Sequence, residues 1–301
     1  MTFVLSKINA NRFYKSLTLL DIQYFIFALT YFFIYPWFGI ARWRKLVEEK
    51  YPLSFTQATK IYFYGEGINL MLPSKIGDLS KAFFLNNFKI CPLSFANGTV
   101  VYEKILDLLS IIIIFLFSWL VVNNSIFDSD KYIFAIIIFI VFSILIVFNL
   151  HFFSIRIKEL IPNRYKNFSN AFTDFLEYFK LLKYNYRSVM VFLIFSIIFW
   201  SGHMFQIYLF MIAANISITY AQVLFYMPIV IIISLVPITI AGFGSREVSL
   251  LYLLKDITDP ENIILASLMI SLRYFLPGII GFSLLLFSDN NVFSKKWFIK
   301  K

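Results

Sequence analysis

The chain is poor in the residues from which most catalytic and metal sites are built. It has one cysteine and two histidines in 301 residues. A single cysteine excludes an intrachain disulfide and a multi-cysteine metal site, and two histidines leave little material for a histidine-based catalytic triad. Neither a Gly-x-Ser-x-Gly elbow nor a Walker-type phosphate loop occurs in the sequence. We therefore expect no cofactor and no metal.

Charge is scarce as well, at 15% of residues, whereas 60% are hydrophobic and 20% aromatic. Ordinary soluble domains are about 45–50% apolar and about 25% charged. Several apolar runs reach the roughly 20 residues that a membrane-spanning helix needs. The composition predicts an all-α, polytopic integral membrane protein. The net charge is +10, and we expect the basic residues in cytoplasmic loops that contact anionic lipid. No nucleic-acid partner is expected.

The apolar runs predict about six full transmembrane helices and two broken or re-entrant helical elements in one membrane domain. The predicted spans are 19–41, 99–122, 131–150, 189–214, 220–236 and 263–287, and the predicted broken elements are 60–90 and 237–254. Basic residues assign 42–60, the amphipathic segment 151–188 and the tail to the cytoplasmic side, and 123–130 and 255–262 to the outer side. No cleavable signal peptide is visible, so the first span is expected to be an uncleaved anchor.

The first broken element is the most informative stretch, because it mixes ions with an apolar run. Proline lacks an N–H and biases the preceding residue away from helical angles, which predicts two short helices meeting at a break. The residues that interrupt the run are Asn69, Pro73, Lys75, Gly77, Asp78 and Lys81. A helix N-terminus beside lysines suits a phosphate head group. The alternative is that both lysines only extend to the membrane interface.

The second broken element repeats this layout of proline, glycine and an acidic residue that opens a helix. Its residues are Pro237, Gly242, Gly244, Arg246 and Glu247, with Glu247 as the expected local partner of Arg246. Matching Gly/Pro interruptions in two halves of a membrane protein point to a binding site near the bilayer midplane. We therefore expect the two breaks to lie side by side.

Ionisable residues also occur inside predicted full spans, where charge is costly and marks ion or substrate pathways. Glu103 and Asp107 are four residues apart and share a helix face; they would bind a cationic group, pair with a lysine of the first break, or carry a proton. The alternative places both in an interfacial first turn beside Lys104. Arg273 is expected to meet an acid or a ligand phosphate.

Three groups of these residues resemble the flippase-like family typified by the transmembrane region of lysylphosphatidylglycerol synthase. The family pattern has Asn, Leu-Pro, Gly, an acid and a basic residue, then an acid-basic-x-x-Asp group, then Pro before Gly-x-Gly and Glu. In this chain the pattern covers roughly 20–287, with Asp at 78 where Glu is commoner and Lys at 81 and 104 where Arg is commoner. The resemblance implies a multi-pass plasma-membrane protein with two re-entrant elements, whose characterised relatives handle lipids.

Together these features favour membrane translocation of a phosphate-bearing lipid or a polyprenyl-linked glycan, with such lipids as partners. No soluble aminoacyl-transferase domain follows the spans, so lipid aminoacylation is not expected, and a transporter is favoured over an enzyme. Two alternatives stay open: a membrane glycosyl- or phosphotransferase acting on a lipid acceptor, and a non-catalytic partner of enzymes that assemble envelope lipids or polysaccharides.

Overall fold

The computed structural model describes residues 9–70, 77–122, 186–235 and 244–287. All regular elements in these ranges are helices, ten in number, which confirms the all-α prediction. In chain order they are α1 Ala10–Thr18, α2 Ile22–Tyr31, α3 Pro36–Glu48, α4 Phe55–Asn69, α5 Ser80–Asn87, α6 Leu93–Val121, α7 Tyr186–Ala213, α8 Tyr220–Leu235, α9 Ser245–Leu253 and α10 Pro260–Leu286. The span predicted at 131–150, most of the segment 151–188, and Pro73, Lys75, Pro237 and Gly242 lie outside the described residues.

Four helical stretches are long and apolar enough to cross a membrane. They are Ile22–Glu48, which joins α2 and α3, then Leu93–Val121, Arg187–Ala213 and Pro260–Leu286. The apolar stretch Tyr220–Ser234 in α8 is shorter. The chain is therefore a membrane-embedded, multi-pass protein, whereas the total of six spans stays a prediction.

All four stretches extend beyond the bounds expected from the sequence, and two of them do so by more than one helical turn. The first continues to Glu48 instead of ending at 41, because Pro36 opens α3 at a position where proline is well tolerated. Its buried face then continues through Trp43, Leu46 and Val47. Helix α6 begins at Leu93 instead of 99, with Pro92 as its N-cap. As a result, Glu103 and Asp107 lie well inside a helix and not in its first turns.

Contacts between helix ends show which loops share an end of the bundle. The Asp21 N–H donates to Ala213 O at 3.0 Å, and the Asn9 N–H donates to Glu261 Oε1 at 3.1 Å. The ring of Tyr51, after α3, packs against Phe95 at the start of α6, with centroids 4.8 Å apart. These contacts place the start of α2 beside the end of α7, the residue before α1 beside the start of α10, and the turn after α3 beside the start of α6, whereas the sidedness of the loops stays a prediction.

Helices α4 and α10 approach each other more closely than side chains would allow. A Cβ atom added to Gly67 would lie 2.6 Å from Phe282 N, and one added to Gly281 would overlap the carbonyl oxygen of Phe63. Glycine at both positions lets the two backbones touch, which is the usual device of close helix crossings in membranes. The crossing holds the C-terminal half of α4 against α10 and so positions Asn69.

The single cysteine gives a test of this packing. Cys91 is buried beside α6, and burial raises the pKa of its thiol to about 12. The thiolate is the reactive form, so we expect no maleimide labelling of the folded protein in detergent at neutral pH. Labelling should appear only after denaturation.

The control for this measurement is Lys50→Cys, since Lys50 is exposed after α3 and a thiol there should label at once in the folded protein. Rapid labelling of the unchanged chain would contradict the burial of Cys91.

Candidate functional site

Six ionisable side chains from three neighbouring segments form one network, which we call the ion network. Its members are Arg42 of α3, Asp78 and Lys81 at and just before α5, and Glu103, Lys104 and Asp107 of α6. Three are cations and three are carboxylates, so the formal charges cancel. Burying one ion costs on the order of several kcal/mol of desolvation free energy, unless the ion is paired and hydrogen-bonded.

Arg42 is the centre of the ion network and is 1% exposed. Its Nη2 lies 3.0 Å from Glu103 Oε1, and its Nη1 lies 2.7 Å from Asp107 Oδ1. Nη1 also donates to Ser196 Oγ on α7. The guanidinium therefore joins α3 to both α6 and α7, and it holds the two carboxylates that share a face of α6.

Lys81 completes the surroundings of Glu103. Its ammonium pairs with Oε2, the carboxylate oxygen that Arg42 does not use. The same ammonium lies 5.1 Å from the ring centroid of Trp43, within the range of a cation–π contact. Glu103 is thus held between two buried cations, one from α3 and one from α5.

The side of the ion network nearest the break is formed by Lys104 and Asp78. Lys104 pairs with Asp78 and lies 3.7 Å from Asp107 Oδ2. Asp78 also accepts a hydrogen bond from Asn69 Nδ2 at 2.7 Å. A Cβ atom on Gly77 would lie 2.5 Å from Asn69 N, so glycine lets the backbone at position 77 approach the end of α4. The Lys104 side chain is 45% exposed and is the most accessible cation of the network.

The second predicted break supplies a separate polar group between α9 and α10. Arg246 Nη2 lies 2.8 Å from Glu247 Oε1 and 2.6 Å from Ser271 Oγ. Ser267 Oγ donates to Glu247 Oε1 at 2.6 Å, and Glu247 also accepts from the N–H of Gly244, whose φ of 102° favours glycine. The expected Arg246–Glu247 pair is therefore present.

Arg273 lies at the middle of α10, apart from the ion network. Its guanidinium contacts His203 Nε2 and Tyr274 Oη. Among the described residues its hydrogen-bond partners are thus a histidine and a tyrosine, and the expectation that Arg273 meets an acid or a ligand phosphate stays a prediction. On α7, Gln206 accepts from Tyr35 Oη at 3.1 Å and donates to Ala28 O at 2.8 Å, and it thereby links α7 to α2 and to the residue before α3.

The structure thus brings together the predicted residues Asn69, Gly77, Asp78, Lys81, Glu103, Lys104 and Asp107, and it places Gly244, Arg246 and Glu247 in one further group and Arg273 in another. Arg42 was missed, because its neighbours Arg44 and Lys45 indicated a solvated membrane boundary. The sequence does contain a signal, because apolar residues recur at helical spacing around position 42. These residues are buried together with Arg42 in the structure: Gly39, Ile40, Trp43, Leu46 and Val47. Arg42 therefore stands on an apolar helix face.

The carboxylates of the ion network are engaged by cations of the chain itself. Within the described ranges, no three His, Cys, Asp or Glu side chains are grouped so that they could hold a metal ion. Trp200 Nε1 adds a further hydrogen bond to Asp107 Oδ1, at 2.9 Å. The arrangement is suited to exchanging one ionic partner for another, with anionic groups as incoming partners of its cations.

Comparison with known proteins gives two similarities. The family model described as the transmembrane region of lysylphosphatidylglycerol synthase matches residues 1–281. The UPF0104 membrane protein MJ1078 of Methanocaldococcus jannaschii is 25% identical over 192 residues, which cover 62% of this chain and 79% of that protein. No solved structure matches the chain.

Proposed function

Because the chain belongs to the family of the lysylphosphatidylglycerol synthase transmembrane region, we propose that it translocates a lipid across the membrane. The lipid carries a phosphate, and it is either a phospholipid or a polyprenyl-linked glycan. We place the protein in the plasma membrane, with envelope-assembly enzymes as further partners. The chemistry that supports the proposal comes from the ion network.

One observation carries the proposal: three cations and three carboxylates are held inside a bundle of apolar helices. Ions in a membrane helix bundle are rare because they are costly, and they mark the route of a polar substrate. Apolar side chains of similar volume would hold the helices together without this desolvation penalty. The presence of the ions is explained if the cations also bind a head group.

The accessible end of the ion network suggests how a head group would enter. Lys104 is partly exposed and pairs with Asp78, so a phosphate approaching Lys104 replaces one carboxylate by another anion. Asp78 keeps its hydrogen bond from Asn69 meanwhile. Such an exchange keeps Lys104 paired with an anion before, during and after head-group binding, so that its ammonium is never left alone beside hydrocarbon. The Lys104–phosphate contact must then outweigh the Lys104–Asp78 contact that it replaces.

The test is lipid exchange in proteoliposomes that contain head-group-labelled phosphatidylglycerol, with dithionite quenching of the outer leaflet as readout. We expect exchange above that of empty liposomes, and Lys104→Gln should slow it about tenfold, the effect of losing one charge-assisted hydrogen bond. The matched control is Lys60→Gln, because Lys60 is exposed on α4 and lies outside the ion network.

Two results would contradict the proposal. The first is exchange no faster than in empty liposomes for every anionic lipid tried, including a polyprenyl phosphate. The second is equal slowing of exchange by Lys104→Gln and Lys60→Gln, since Lys104 would then contribute only to the overall positive charge of the protein and not to a specific site.

A further inference from the structure

Arg273 is held differently from the other buried arginines. It is 4% exposed, yet its guanidinium contacts the imidazole of His203 and the hydroxyl of Tyr274, and it lies 4.4 Å from the centroid of the Tyr274 ring. Arg42, by contrast, has two carboxylates, and Arg246 has one. Arg273 makes no ion pair with any residue that the structure describes.

Arg273 and the described acid Glu66 both act electrostatically on the buried Tyr35 hydroxyl, yet no ion pair joins Arg273 to Glu66. The two stretches that complete the breaks, 71–76 and 236–243, contain no Asp or Glu. The Nε–H of Arg273 is buried and meets no acceptor among the described residues. An ionised guanidinium at the middle of a membrane helix is costly when its partners are neutral. Among the residues that the structure describes, the charge of Arg273 is therefore buried without an ion pair.

The position of Arg273 relates it to the ion network. Trp200 of α7 donates to Asp107 of the network, and its ring centroid lies 4.9 Å from that of His203. Along α7, Ser196 contacts Arg42 and His203 contacts Arg273. Positions 196 and 203 are about 10 Å apart at the rise of an α-helix. The two cationic centres are thus neighbouring but distinct, with Trp200 in contact with both.

We infer that Arg273, with His203 and Tyr274, is a second anion-binding site for a singly charged phosphodiester. A guanidinium presents a planar pair of donors that matches two phosphate oxygens, and a single positive charge balances a single negative one. The rings of Tyr35, Phe199 and Trp200 surround His203, so the site favours a weakly hydrated monoanion over free phosphate. The inference rests on the proposed function in one respect: a lipid head group moving past Trp200 would meet both centres in turn.

The test is thermal unfolding of the full chain in a neutral detergent, with and without dioctanoyl phosphatidylglycerol. A ligand at tenfold its Kd should raise the melting temperature of the unchanged protein by about 2–6 °C. Arg273→Gln should abolish this shift. Without lipid, Arg273→Gln should melt at the same or a higher temperature, because the variant removes a buried cation that lacks a counter-anion. A structural arginine would give the opposite result.

Three controls identify what causes the shift in melting temperature. Dioctanoyl phosphatidylcholine reports nonspecific lipid effects, and inorganic phosphate reports a site for the free ion. Arg187→Gln is the matched arginine variant, since Arg187 is exposed at the start of α7, and it should keep the full shift. The inference is overturned if Arg273→Gln keeps the phosphatidylglycerol shift, or if inorganic phosphate gives as large a shift as the lipid.

The outcome is independent of the transport assay. Loss of the shift in Arg273→Gln together with no lipid exchange by the unchanged protein would support the binding site and reject translocation. Exchange that depends on Lys104, together with an unaltered shift in Arg273→Gln, would leave translocation standing and reject the second site.

Discussion

Replacing Arg42 by methionine should destabilise the protein by about 3–5 kcal/mol, which is the usual cost of removing one partner from a buried ion pair. The change leaves the Asp107 carboxylate with Lys104 at 3.7 Å and Trp200 at 2.9 Å as its remaining partners. It also takes away the contact between α3 and Ser196. We expect the melting temperature in detergent to fall on the order of 10 °C, together with a lower yield of monodisperse protein.

Arg44→Met is the matched control. Arg44 lies on the same helix and pairs with Glu48 at 2.6 Å, but its side chain is 35% exposed, so its loss should cost less than about 1 kcal/mol. Combining Arg42→Met with Asp107→Asn should recover part of the lost stability, because the neutral amide no longer needs the guanidinium. Equal effects of Arg42→Met and Arg44→Met would show that Arg42 is not buried in the ion network.

Replacing Gly281 by leucine should prevent α4 and α10 from packing as they do here. The first side-chain atom already overlaps the carbonyl oxygen of Phe63, and a backbone atom cannot rotate away as a side chain can. The helices would have to separate, and overpacking of this kind costs at least about 1–3 kcal/mol where the structure relaxes and more where it cannot. We expect loss of the monodisperse peak in size-exclusion chromatography.

Gly278→Ala provides a graded comparison on the same helix. The added Cβ atom would lie 3.1 Å from Leu70 Cβ and 3.2 Å from its Cδ1. The helices need to shift only slightly to relieve these contacts, so this variant should stay folded with a small decrease in melting temperature. Wild-type behaviour of Gly281→Leu would mean that α4 and α10 do not cross at that glycine.

The residue types of the candidate site were largely predictable, and so were the Arg246–Glu247 pair and, as one of three alternatives, the pair of Glu103 with a lysine of the first break. The part played by Arg42 was not. Asp78, Lys81, Glu103 and Asp107 stand out because ions in apolar stretches are conspicuous. Nothing in the linear order shows that Glu103 meets Lys81 and Arg42 together, since those partners come from different helices. Arg42 itself was hidden by neighbouring basic residues that suggested a membrane boundary, although the apolar residues beside it continue one helix face.

The helix bounds show a similar division. Hydropathy located α6 and α7, but α6 begins earlier than 99, because the mixed residues before that position still form helix once they pack on α5. The close approach of α4 and α10 was also beyond prediction, since a glycine in a sequence does not tell which backbone will come to lie against it.

Taken by itself, the amino-acid sequence determined that this chain is an all-helical membrane protein, because apolar runs of that length can satisfy their backbone groups in hydrocarbon only as helices. It also determined where the costly ions lie along the chain. Only the tertiary structure decided that Arg42 holds Glu103 and Asp107 while Arg273 contacts His203 and Tyr274. The physical reason is that ion pairing depends on distances of a few ångströms between helices, and packing sets those distances.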